Sequence, residues 1–150
     1  VEMLADAFTY GRKPGSATSV LSKLLEALKH KREEVLKDAI NQVFADIPYD
    51  LWIKNNEKFF HALVYLIFTL AGMHIFSEVH TSRGRADSIV VLGDSVYCQE
   101  FRLDGSAEEV LRQIEQNGYL DRWKNSGKHF HKIGINFNSQ TCQVEELLWV

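Results

Sequence analysis

The sequence predicts an α/β fold, a mixed central sheet flanked by helices with a helical extension at its N-terminal end. Apolar residues recur at a helical period through the first third of the chain. Short alternating runs separated by turn residues fill the middle. A helix start then lies between those runs and two further strand-like stretches, the arrangement of a crossover connection.

Residues 1–17 carry Gly11, Pro14, Gly15 and Ser16, a composition expected of a linker. From Thr18, the positions Val20, Leu21, Leu24, Leu25 and Leu28 share one helical face, and Val35, Leu36, Ala39, Ile40, Val43 and Phe44 repeat the pattern after a charged stretch at 30–34. This is a pair of amphipathic helices or one long bent one. Ile47-Pro48-Tyr49 ends it, because proline pushes the preceding residue out of the α region. Residues 55–72 are apolar nearly all round, from Phe59 and Phe60 to Leu70, which predicts a helix buried on most sides and stopped by Gly72. Residues 73–81, 85–92 and 95–103 read as a three-stranded meander with turns at Ser82-Arg83-Gly84 and Gly93-Asp94. Ser106-Ala107-Glu108-Glu109 is a capping box that opens a helix with Ala107, Val110, Leu111 and Ile114 on one face. That helix breaks at Asn117-Gly118 or continues through Tyr119 to Trp123. Strands over 129–137 and 143–150 close the chain, the first of them parallel to its neighbour because a helical crossover joins parallel strands.

A chain of 150 residues with 45% apolar content can bury one core and is short for two. Its formal charge of −3 lacks the basic excess of non-specific nucleic-acid binders, so any contact with DNA is local. Cys98 and Cys142 are too few for a disulfide framework and show no structural-zinc spacing, which fits a reducing, cytoplasmic setting. The most apolar stretch, 62–71, is about half the length that crosses a bilayer, so the expectation is a soluble protein with no membrane partner. The chain opens at Val1 without Met, as a piece of a longer protein would.

Strand register carries the chemistry. With Gly93-Asp94 as a two-residue hairpin loop, Leu92 pairs with Ser95, and counting outward brings Asp87 opposite Glu100. Like charges in direct opposition are destabilising, so a fold that keeps such a pair usually has a cation to neutralise it, and oxygen ligands of this kind suit Mg²⁺ or Mn²⁺. Arg102 shares a strand face with Glu100, which sets a cation where a scissile phosphate would lie. Glu78 joins that face if an even number of residues connects its strand to the next.

These residues resemble a known family. The run from Glu78 through Gly84-Arg85-Ala86 to Asp87, then Glu100-Phe101-Arg102 and Gln113-Ile114, is similar to the PD-(D/E)xK nuclease superfamily. The helical part, with Ile47-Pro48-Tyr49-Asp50 and Phe60-His61-Ala62, extends the likeness over residues 20–150. The resemblance is to a bacterial branch in which this domain follows an AAA-like ATPase region. It implies a restriction-endonuclease-like sheet and cleavage of nucleic acid, taken here as DNA, with residues 1–50 as a helical extension and 51–150 as the nuclease-like domain. It further implies Asp87 and Glu100 as metal ligands, Glu57 or Glu78 as an auxiliary acid, and Gln113 as a helix-borne polar group near the site. The family pattern ends in Glu-x-Lys, whereas this chain has Arg102, and a guanidinium stays protonated where an amine need not. A non-catalytic binding or interaction module that keeps the fold is the rival reading.

Each candidate also has a plainer explanation. Asp87 and Glu100 can be strand-end acids held by Arg85 or Arg102, Glu57 an acid favoured at a helix start, and Gln113 an exposed helix residue. His129 and His131 alternate onto one face without a third ligand, His61 reads as a hydrogen-bonded core histidine, and Cys98 as packing. Arg83, Arg85, Arg122, Lys124, Lys128 and Lys132 read as scattered surface charge rather than a phosphate-steering patch.

Overall fold

The computed structural model describes residues 16–81, 84–117 and 125–150, excluding the side chains of 16–19, 77–81, 84–86 and 117. Its elements are α1 (Ser16–Lys29), α2 (Glu33–Phe44), a 3₁₀ turn (Tyr49–Leu51), α3 (Glu57–Leu70), β1 (His74–Thr81), β2 (Gly84–Leu92), β3 (Ser95–Leu103), α4 (Ala107–Asn117), β4 (His129–Asn138) and β5 (Gln143–Trp149). Of the linker expected at 1–17, Ser16 and Ala17 instead belong to α1; residues 1–15, the continuation of α4 through Tyr119 and Trp123, and the positions of Arg83, Arg122 and Lys124 lie outside the described residues.

The first two helices are separate. Lys31 between them has φ 51°, and Arg32 N–H returns to Ala27 O at 3.0 Å, so the chain turns sharply after α1. Asn56 caps α3 by accepting from Lys58 N–H at 3.0 Å. At the other end of α3, Gly72 takes φ 81° while Gly72 N–H and Met73 N–H bond to Thr69 O and Phe68 O, a paired closure that needs glycine's left-handed freedom.

The strands form a mixed five-stranded sheet in chain order, antiparallel from β1 to β3, parallel between β3 and β4, and antiparallel again to β5. The α/β architecture and the parallel fourth strand are therefore as the sequence predicts. Helices α1 to α3 cover one face, over Val90, Tyr97, Phe101, Ile133, Ile135, Phe137, Leu147 and Trp149. The other face, with Ile89, Val96 and Cys98, lies under Ile114 and Leu111 of α4. Residues 20–44 thus share one core with the sheet. Phe60 of α3 stacks on Phe137 of β4 at 4.9 Å, and Phe44 and Phe101 pack around the same ring. Asn41 of α2 acts as a strand partner for β5, donating to Val144 O at 3.0 Å and accepting from Val144 N–H at 2.7 Å, beside the register shift within the β4–β5 ladder.

One expectation needs correction. Helix α3 is not buried on most sides: Phe60, Val64, Ile67 and Phe68 are buried, whereas Tyr65 and Leu66 are 37% and 40% exposed. A helix on the outside of a sheet meets it through one stripe only, and hydrophobicity all round does not create a second partner. Among the described residues no helix is long and apolar enough to cross a membrane.

His131 shows how the helix-covered face is closed. It lies stacked on Tyr97 at 4.6 Å and accepts a hydrogen bond at Nδ1 from Trp149 Nε1 at 3.1 Å, which requires the neutral ring. Burial first, then the charges of Lys31 and His129, hold its pKa below the usual 6.5. The unfolded chain therefore binds this proton first as pH falls. The contribution is complete above about pH 6.5 and is lost progressively below it, down to the folded-state pKa. Melting temperatures measured between pH 7.5 and pH 5 should fall in the wild type and fall less in His131→Gln, which keeps an acceptor for Trp149; equal slopes would place the effect elsewhere.

Ser88 and Gln99 face each other under α1 to α3, fully buried, and among the described residues Ser88 Oγ and both amide atoms of Gln99 have no hydrogen-bond partner. An unpaired buried polar group costs about 1–3 kcal/mol. Gln99→Met, of similar volume and apolar, should therefore raise the melting temperature, and a lower one would show that the amide is satisfied in solution.

Candidate active site

The β2–β3 ladder runs from Leu92↔Ser95 to Ser88↔Gln99, so Gly93-Asp94 is the two-residue loop that the sequence suggests, with Gly93 at φ 56°. Asp87 and Glu100 occupy the next position. There the strands remain tied through side chains: Asp87 N–H donates to Glu100 Oε2 at 3.1 Å, and Phe101 N–H donates to Asp87 Oδ2 at 3.0 Å. Each carboxylate thus takes a backbone amide of the opposing strand. Each N–H sets a partial positive charge against a carboxylate oxygen, which offsets the repulsion between the acids. Glu100 is 2% exposed and Asp87 half-buried.

Helix α4 supplies the next contacts. Gln113 Nε2 donates to Glu100 Oε1 at 3.4 Å, and Gln113 Oε1 accepts from Arg102 Nη2 at 2.6 Å. Gly134, paired with Glu100 across β3 and β4, lets the helix approach this closely: a Cβ there would meet Ala107 O at 2.6 Å and Leu111 Cγ at 3.2 Å. The start of α4 is fixed from below as well, where Ala107 N–H donates to Glu146 Oε1 of β5 at 2.9 Å. Gly105 N–H bonds to the buried Asn136 at 2.8 Å, which secures the turn between β3 and α4.

The other proposed residues are placed as follows. Glu57, the first residue of α3, accepts from Leu103 N–H at 3.1 Å and so lies at the far end of β3. In β1, the pairs Ser77↔Ser88 and Val79↔Ala86 bracket Glu78 and Asp87, and Thr81↔Gly84 leaves an even, two-residue connection; the side chains of Glu78 and Arg85 lie outside the description. His131 is committed to Trp149, and Lys132 to Glu115 at 3.3 Å. His61 packs its ring on Phe101 at 4.7 Å. Cys98 is buried on the α4 side, and burial, then the charges of Glu100 and Asp87, push its pKa far above that of a free thiol, which leaves it inert. The links from Gln113 to Arg102 and from Glu57 to Leu103 had no signal in spacing, because the first joins a strand to the helix after it and the second reaches across β1 and β2.

Among the described residues no group of three or more His, Cys, Asp or Glu side chains is arranged to hold a metal ion. What is present is a pair of acids with hard oxygen donors, each oriented by a main-chain amide. This donor set fits a hard divalent cation that retains waters, as Mg²⁺ does, and does not resemble the nitrogen and sulfur sets of zinc sites.

Comparison with known proteins bears on this geometry. The chain is 28% identical over 142 residues to a protein of Azotobacter chroococcum mcd 1 described as "Uncharacterized protein in vnfD 5'region", a match covering 90% of this chain and 27% of that protein. The chain thus spans about a quarter of the length of this relative. No solved structure matches the chain significantly. A family profile described as PD-(D/E)XK nuclease superfamily matches residues 55–147, which include α3, strands β1 to β4, most of β5 and the acid pair. With a match over more than half its length, this chain belongs to the PD-(D/E)XK nuclease superfamily.

Proposed function

We propose that the chain is a metal-dependent nuclease domain that hydrolyses DNA phosphodiester bonds, with Asp87 and Glu100 holding Mg²⁺ or Mn²⁺. The observation that carries this reading is the reciprocal seating of the two carboxylates on the backbone amides of Asp87 and Phe101. Acids held in this way are oriented by the backbone of the opposing strand. A divalent cation bound there would polarise the scissile phosphate and lower the pKa of a water molecule. The chain's own residues hold Glu100 in place through Asp87 N–H and Gln113 Nε2. Glu57, at the start of α3 and the far end of β3, and Glu78 of β1 are the auxiliary acids in this reading, and Gln113 is the polar group that α4 brings to Glu100.

Residues 51–150 form the nuclease-like unit in this reading, with residues 1–50 as its helical extension. The AAA-like ATPase region that the sequence resemblance implies is its partner in a longer chain. Two buried free cysteines suit a reducing, cytoplasmic setting. One observation favours the rival, a binding module without turnover: Arg102 stands where the family pattern has lysine, and its guanidinium is bonded to Gln113 and cannot take a proton from water.

Mn²⁺ should raise the melting temperature of the wild type, and Asp87→Asn or Glu100→Gln should remove that increment while retaining an oxygen to accept the backbone amide. Equal stabilisation of all three proteins would point to metal bound elsewhere. Nicking of supercoiled plasmid in Mg²⁺ or Mn²⁺ separates enzyme from module: the proposed nuclease cleaves and Glu100→Gln does not, whereas a module retards DNA without cutting it.

A further inference from the structure

Resting on the reading of Glu100 as a metal ligand, we propose that Arg102 is a positioning residue that acts on Glu100 through Gln113 rather than on the phosphate of the substrate. The 2.6 Å contact from Arg102 Nη2 to Gln113 Oε1 is a short, charge-assisted hydrogen bond, and it fixes which way the Gln113 amide faces. A guanidinium only donates and a carboxylate only accepts. The amide oxygen must therefore face Arg102 and the amide nitrogen Glu100; the flipped amide would set donor against donor and acceptor against acceptor.

The rest of the arrangement lets this orientation reach the carboxylate. Gln113 stands next to Ile114, which is buried against β2 and β3, and α4 is seated on Gly134 beside Glu100. The backbone at Gln113 therefore has little freedom to follow a side-chain rotation. Glu100 is then held at both oxygens, Oε1 by Gln113 and Oε2 by Asp87 N–H. A lysine at position 102 would present a shorter, compact ammonium without the planar fork that reaches α4. Departure from the family pattern at Arg102 thus comes with a partner that uses the guanidinium's extra reach.

The experiment is a double-mutant cycle on the full 150-residue chain, using Arg102→Met, Gln113→Leu and the combined variant, with Mn²⁺ affinity measured by calorimetry in the absence of DNA. Loss of a group that orients a ligand typically weakens metal binding about 10–100-fold. Each single variant should show a loss of that order, and the double variant should bind no more weakly than Gln113→Leu alone. Additive losses would overturn the proposal. So would unchanged Mn²⁺ affinity in Arg102→Met accompanied by weaker DNA binding, which is the behaviour of a direct phosphate contact. A second readout needs no metal: the side-chain amide protons of Gln113 should give two dispersed NMR signals in the wild type that collapse toward free-amide values in Arg102→Met and in the milder Arg102→Lys. If the wild type binds no Mn²⁺, the ligand assignment fails and the NMR comparison alone decides the coupling, with an unchanged Gln113 signal overturning it.

Discussion

The register of the β2–β3 hairpin determines where every side chain near the acid pair points. Side chains alternate between sheet faces, so a slip of one residue would move Glu100 and Arg102 under α3 and bring Phe101 out beneath α4. The register is pinned at one end by Gly93, whose positive φ a bulkier residue would adopt only with strain, and along its length by Ile89, Val90, Val96 and Tyr97 filling cores on both faces. At the other end the acids take part in the strand pairing themselves. Asp87 and Glu100 spend one oxygen each on a backbone amide, so the site continues the sheet's hydrogen bonding rather than interrupting it.

Charge is distributed around this point with little redundancy. Two neighbouring carboxylates in a largely buried setting repel each other, and each is stabilised by a neutral N–H donor. The described contact of Arg102 is to Gln113, which passes a polarised amide toward Glu100. The same electrostatics silence Cys98, whose thiolate would be a third negative charge in a buried place. Strand-face alternation alone puts Cys98, Glu100 and Arg102 in one row, but only the layer above them decides which of the three is available for chemistry.

The helical layer on the reverse face acts as the support for that row. Phe44, Phe60, Phe101 and Phe137 lock α2 and α3 onto β3 and β4, and Asn41 ties α2 to the edge strand β5. The family match begins at residue 55, yet the packed core reaches back to Val20. The preceding helices are therefore part of the core that supports the sheet. Ser88 and Gln99, buried behind the acids without partners among the described residues, are a local cost carried by this layer.

By itself the sequence determined the α/β class, the strand meander with its glycine turn, the parallel return after α4 and the opposition of Asp87 to Glu100. All of these follow from short-range rules: periodicity, turn chemistry and counting outward from a two-residue loop. Tertiary structure alone decided that α3 is covered on one side only, that His131 is committed to Trp149, and that Gln113 stands between Arg102 and Glu100. Those outcomes depend on how closely one element approaches another. That approach is set by particulars such as the missing Cβ of Gly134, which lets α4 sit against the sheet beside Glu100 and which no pattern within α4 or β3 could reveal.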